Sequence, residues 1–288
     1  MIKMLAATAL LLAVPGPEED YPALVASAAA KERQREEELR AAHRALDEGA
    51  YGRAVELAKH ARDLDGEIVR IRGEARACLG RLVAQLVEKL DDDEFAVREG
   101  ASERLRALGS VAIPDLLRRR ASEKSPESRY RIDALMSGIS VDEGGRVRQW
   151  AIEATASSEY GSTDWSASQA TGAPDSLQGG DARTAWAAKE ADAGAEWLRL
   201  KYPVAVRVSK VRVHENLTPG GVVAVDVIGD DGVRRRAWEG EDRGGDAPAW
   251  FEADLQGIVG REIVIVLDTN KHAGWEEIDA VELIGDLP

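Results

Sequence analysis

Trp165 and Trp275 stand in stretches rich in Gly, Ser and Asp, where loops rather than cores are expected. An indole face beside hydrogen-bonding side chains is what a sugar ring needs. The ring's C–H face stacks on the aromatic plane and its hydroxyls meet the polar groups. Tyr160, His214, Asn216, Lys271 and His272 lie in neighbouring polar segments. Tyr160, Trp165, His214, Asn216, His272 and Trp275 are therefore the candidate ligand residues, with a packing or rim role as the competing reading of each.

Other chemistries lack their residues. His43, His60, His214 and His272 form no HExxH or paired ligand spacing, so a zinc hydrolase is disfavoured. No Walker loop, GxGxxG or GxSxG occurs. Cys78 stands alone, which excludes an intrachain disulfide and a Cys-based metal site, and it falls in an apolar helical stripe where it reads as a buried thiol. The formal net charge is −14, which argues against a nucleic-acid partner. Residues 148–288 carry most of the excess, with 14 Lys/Arg against 25 Asp/Glu. That balance suits a hard cation or a solvated surface better than an anionic ligand.

The chain is long enough for about two domains. Residues 1–17 read as a signal peptide: Lys3, then the apolar run Met4 to Val14, then Pro15-Gly16-Pro17. The run is too short to span a bilayer. The expected location is therefore exported, in the periplasm or outside a bacterial cell, with an uncleaved signal anchor as the alternative and no other membrane association.

From residue 18 to 90 apolar residues recur at helical spacing. Tyr51, Ala54, Ala58 and Ala61 mark one segment, and Ile68, Ile71, Ala75, Leu79, Leu82 and Leu86 the next, after a break at Gly49-Ala50. This predicts a helical hairpin followed by a long third helix. The run Leu46 to Asp65 resembles the second half of a single tetratricopeptide repeat. Residues 91–140 show a different pattern: Asp91-Asp92-Asp93, Val97-Arg98, Leu108-Gly109, Ile113-Pro114, then Ser125-Pro126. Acidic turns, a Gly stop and Pro starts fit helix ends, and the order resembles HEAT-like repeats. Such a region is an interaction scaffold or a plain spacer. At Gly144-Gly145 the texture changes, and 141–147 reads as a linker. Beyond it come alternating β-branched runs such as Val204 to Val208, Val211 to Val213, Val222 to Ile228 and Ile263 to Leu267, parted by Gly-, Asp- and Pro-rich turns. The fold class is therefore α+β as separate domains: an α-helical repeat-like region, then an antiparallel β-sandwich over 148–288.

Within the β region, Asp181-Ala-Arg-Thr184-Ala-Trp186, Trp197-Leu-Arg-Leu200 and Glu277-Ile-Asp-Ala-Val-Glu-Leu-Ile-Gly285 follow in order. Their sequence resembles the discoidin domain, also called the coagulation-factor type C (F5/8 type C) or galactose-binding-like domain, across about half the chain. The resemblance implies a jelly-roll-like sandwich that binds sugars, phospholipid head groups or proteins through loops at one end. It implies core positions for Trp186 and Trp197. It also implies a structural calcium held by Asp175, Asp181, Thr184 and Glu277, hard oxygen ligands of the kind calcium takes. The competing reading is that Asp181 and Thr184 cap a tight turn, and Glu276, Asp279 and Glu282 leave open which closing carboxylate faces the loop. Taken together, the sequence predicts an exported, non-enzymatic binding protein for a carbohydrate or a surface protein. The alternative is a structural adaptor whose helices hold a protein partner.

Overall fold

The computed structural model describes residues 17–288, so the export segment expected over 1–17 lies outside the described residues except for Pro17. The chain divides into two compact units at Ala107/Leu108.

The first unit is built on two long helices, α1 (Pro17–Asp47) and α2 (Tyr51–Glu88). Gly49, at a φ of 72°, takes the left-handed conformation that ends α1, and Ala50 N–H returns to the Ala45 carbonyl. The two helices run antiparallel, as the pairs Lys31–Glu67, Arg35–Asp65 and Glu32–Arg72 show. These exposed pairs fix register more than they stabilise. The stabilising contact is the apolar stripe of α2, where Ala54, Ala61, Leu64, Ile68, Ile71, Ala75, Cys78 and Leu79 are buried. Leu64 carries that stripe through Asp63-Leu-Asp-Gly66 without a break, so the expected second and third helices are one. Tyr51 is 69% exposed and Ala58 is exposed too, so these repeat-like positions face solvent while Ala54 and Ala61 are buried. Helix α3 (Phe95–Leu108) follows an Asp92 carboxylate that accepts the Glu94 N–H.

The second unit begins with α4 (Ile113–Ser122) and α5 (Pro126–Leu135). Ser125 Oγ accepts the Ser128 N–H and Pro126 occupies the first turn, as capping chemistry requires. Ten strands follow. β1 (Ile139–Val141) and β2 (Val147–Trp150) pair as a hairpin. Residues 141–147, expected as a linker, are the paired strand ends Val141 and Val147 with a turn between them: Asp142 accepts from Gly144 and Arg146, and Gly145 takes a φ of 82°. A Gly-Gly pair marks a tight turn as readily as a linker.

The sandwich turns on one strand. β5 (Ala195–Leu217) pairs in its first half with β3 (Glu153–Ala156) and β9 (Val259–Asp268), and β9 continues to β6 (Val222–Gly229) and β7 (Arg234–Glu239). In its second half β5 pairs with β10 (Glu277–Asp286) and β8 (Ala249–Asp254), and β10 continues to β2. The short β4 (Trp186–Ala187) joins the start of β10. The bend of β5 coincides with Pro203, which has no N–H for a ladder. There the buried Gln149 side chain stands in for a strand: it donates to the Val204 carbonyl (2.8 Å) and accepts the Val204 N–H (3.0 Å). The core lies between the sheets, where Leu198, Leu200, Tyr202, Val206, Val208, Val225, Ile263, Ile265, Val281 and Leu283 are fully buried. This is the antiparallel β-sandwich expected from the alternating runs. Trp186 belongs to the core, with its indole N–H on the Ser158 carbonyl. Trp197 does not. The alternation that sends Leu198 and Leu200 inward turns Trp197 outward, 36% exposed.

Among the described residues, no helix is long and apolar enough to cross a membrane.

Candidate ligand-binding cleft

At one end of the sandwich, the loop after β3 lies beside the segment before β4 and the start of β10. Tyr160 N–H donates to the Ala187 carbonyl, Trp165 N–H to the Arg183 carbonyl, and Ala187 N–H to the Trp165 carbonyl. These bonds hold Trp165 in the left-handed region at a φ of 54°. That conformation costs a bulky residue about 1–3 kcal/mol and persists only where the surroundings enforce it. Gly274, at a φ of 107°, donates to Asp192 Oδ1 and delivers Trp275 to the same place.

The result is an aromatic cup. The Tyr160 ring stands edge-on to Trp165 (5.4 Å between centroids, 79°) and to Trp275 (5.6 Å, 80°). Both indole N–H groups are used: Trp165 donates to Asp181 Oδ1 (3.0 Å) and Trp275 to the Ala188 carbonyl (3.2 Å). Tyr160 and Trp275 remain 54% and 40% exposed. With Asp181 and Glu277, and with Ala187 and Leu217 beneath, they line a cavity of about 210 Å³.

Glu277 is buried at its base. Its Oε2 accepts the Ala182 N–H (2.9 Å) and Asn216 Nδ2 (3.2 Å). Burial raises its pKa, the two donors work against that, and the adjacent Asp181 carboxylate raises it further. Asn216 is wholly buried and acts as a strut: Nδ2 also donates to the Gly180 carbonyl, and Gly180 N–H returns to the Asn216 carbonyl (2.8 Å).

The structure thus unites Tyr160, Trp165 and Trp275, places Asn216 behind them, and leaves two expected ligand residues outside. His214 is buried, bonded through Nδ1 to Asp279 Oδ2 (2.9 Å) and covered by the Trp250 ring at 4.7 Å. Asp279 also accepts the Asp175 and Ser176 N–H groups. Burial pushes its pKa up, but His214 and these donors hold it below the usual value. His272 is exposed in the loop before Trp275, against Gly220, and does not line the cleft. Lys271 does not line it either.

The four expected calcium ligands are linked as two pairs rather than one set. Asp181 adjoins Glu277, while Asp175 and Thr184 are joined through Ser176 Oγ. Among the described residues no group of three or more His, Cys, Asp or Glu side chains is placed to hold a metal ion. In donor chemistry the Asp181–Glu277 pair fits a hard cation; Asp175 and Thr184 belong to a hydroxyl-lined turn. Ala187 and Leu217 are not among the residues the sequence singles out, whereas Asp181 and Glu277 are, as expected calcium ligands. No sequence signal flags Ala187, and Leu217 follows four successive buried residues, Val213 to Asn216, where the alternation of β5 has lapsed.

Residues 140–287 match the family model described as Pappalysin-1, SD scarf domain, C-terminal. They cover the stretch that resembles a discoidin domain and begin at β1 rather than after it. No curated protein matches the chain. Among solved structures, the sandwich is similar to chitosan-binding module 1 of a chitosanase/glucanase from Paenibacillus sp. IK-5, with 18% identity over 46% of this chain and 94% of that chain and a TM-score of 0.37. It is also similar to the family 32 carbohydrate-binding module of NanJ from C. perfringens, solved with galactose, at 21% identity over 46% and 92% and a TM-score of 0.35. A pectin-binding module gives 14% over 46% and 89%, with a TM-score of 0.36.

Proposed function

The chain belongs to the family of the Pappalysin-1 SD scarf domain, C-terminal, through residues 140–287, and from that premise we propose that its β-sandwich is a non-catalytic module that binds a carbohydrate in the aromatic cleft. The observation that carries the reading is the cup of Tyr160, Trp165 and Trp275 set beside Asp181 and Glu277. Aromatic planes take the C–H face of a pyranose, and carboxylates accept its hydroxyls. The cavity, about 210 Å³, is smaller than the about 300–1,000 Å³ of pockets that enclose a drug-sized ligand. One sugar residue therefore enters it and the rest of a chain lies outside. Binding rather than glycoside hydrolysis is favoured because Asp181 lies against Glu277. Hydrolysis needs two carboxyl groups about 5 Å apart or more. An exported location, where glycans are met, is part of the same proposal.

A glycan array probed with the full chain tests it. Retention of a defined set of glycans by the wild-type protein, lost in Trp275→Ala, is the expected outcome. A folded wild-type chain that retains none overturns the reading.

A further inference from the structure

The cleft is lined by two carboxylates and three aromatic rings, and no Lys or Arg side chain lines it. Asp181 and Glu277 are neighbours of like charge, one exposed and one buried. Two such groups repel each other, and a cation placed between them relieves the repulsion while gaining two charge-assisted hydrogen bonds. The aromatic walls act in the same sense. The faces of indole and phenol rings attract ammonium groups, and a guanidinium already lies over the Trp165 ring, that of Arg183 at 5.7 Å. The wider field agrees, since residues 148–288 carry 14 Lys/Arg against 25 Asp/Glu. A uronate or sulfate brought to this cleft meets two carboxylates, and the nearby Arg183 guanidinium is set over Trp165 and paired with Asp164 at 3.8 Å.

We propose that the cleft selects sugars bearing a free amine, a 2-amino-2-deoxyhexose unit above all, with the ring stacked in the Tyr160–Trp165–Trp275 cup and the ammonium between Asp181 and Glu277. This rests on the carbohydrate-binding reading and adds the class of sugar to it. The amine donates to Asp181, whose Oδ1 takes the Trp165 indole, and to Glu277, whose Oε2 takes Ala182 and Asn216, and it bridges the contact that the two carboxyl groups make with each other. Acetylating the amine removes the charge and leaves the two carboxylates facing an amide.

The test is calorimetric titration of the full chain at mildly acid pH with three trisaccharides: chitotriose, its fully N-acetylated form, and trigalacturonate. Chitotriose is expected to bind about tenfold or more tightly than the acetylated form, a gap of about 1.4 kcal/mol, and trigalacturonate not at all. Asp181→Asn, an exposed and conservative change, is expected to bring the first two affinities together. Equal or tighter binding of the acetylated sugar, binding of trigalacturonate, or a preference that survives Asp181→Asn overturns the charge selection while leaving a sugar-binding module. Failure of the folded protein to bind any of the three, together with an empty glycan array, overturns both readings.

Discussion

Two groups of carboxylates stand close together near the start of β10, and they differ in what surrounds them. Glu277 and Asp181 are held by Ala182, Asn216 and the Trp165 indole, and open onto the aromatic cup. One residue earlier, Glu276 is buried with Glu215 and Asp242. There Glu215 Oε2, Asp242 Oδ2 and both oxygens of Glu276 lack a hydrogen-bond partner among the described residues. The Glu276 carboxyl packs so closely on Gly221 that a Cβ there would overlap it. Glu277 is as buried as Glu276, but its neighbour Asp181 is exposed, and the supply of donors differs as well. In the first group two fixed donors on Glu277 oppose the rise that burial and Asp181 cause, and the pair faces the cup. In the second group Glu215 takes only the Gly220 N–H, Asp242 only the Gly244 N–H and Glu276 no donor, so burial and mutual repulsion push Glu215 and Glu276 toward the protonated form. A buried acid therefore marks a binding site only where its partners and an opening come with it.

The largest effect expected to sharpen this comparison separates the cup from the core. Trp186→Ala leaves a void among packed side chains and should cost about 3–5 kcal/mol, unfolding the sandwich. Trp275→Ala removes a partly exposed ring and should leave Tm nearly unchanged while abolishing sugar binding. Thermal melts of both variants decide it. Equal destabilisation would make Trp275 a core residue and remove the cup.

Next in size is the pH response of the second group. Burial first, then the charges of Asp242 and Asp268, lifts Glu276 to about 8, opposed by Lys271; burial and then Asp242 raise Glu215. The native state thus keeps protons that the unfolded chain, near 4.5, has already released. That stability is full below the unfolded value and is lost as pH rises through the folded one. Tm should fall from about pH 5 to about pH 9, and Glu276→Gln should flatten the fall and raise Tm at the alkaline end. A Tm that climbs across this window in the wild type would show that the group is charged and partnered after all.

The smallest effect concerns calcium. Held by Asp181 and Glu277 with carbonyl and water oxygens, it should raise Tm by mass action, modestly for two carboxylates. Asp181→Asn should remove the rise. A rise that persists in Asp181→Asn would place the ion elsewhere, and no change at millimolar calcium would remove it from the account.

Much of this is legible in the amino-acid sequence. Alternating runs such as Val204 to Val208 can bury one face only as strands, and Ser125-Pro126 can only start a helix cleanly. Trp165 and Trp275 stand out because indoles in Gly- and Asp-rich turns have no core to enter. What the sequence does not show is decided by parity or by distant segments. The motif around Trp197 points to the core, yet a motif does not say which face of a strand it occupies; Leu198 and Leu200 settle that only once they are known to be inside. His214 looks polar and available, but β8 returns from far along the chain to cover it with Trp250. Asp181 and Glu277 meet because β4 pairs with the start of β10, and no local pattern encodes that register.

Saturation-transfer difference NMR on the full chain with a bound sugar tests the central claim most directly. A second solvent-facing indole, Trp197, lines a groove with Arg199 and Arg261 on the sheet of β5 and β9, so the competing location is defined. The account predicts strong transfer to the protons of one sugar face in the wild type and in Trp197→Ala, and its loss in Trp275→Ala. Transfer that survives Trp275→Ala and vanishes in Trp197→Ala would contradict it, placing the ligand on the sheet rather than in the cleft.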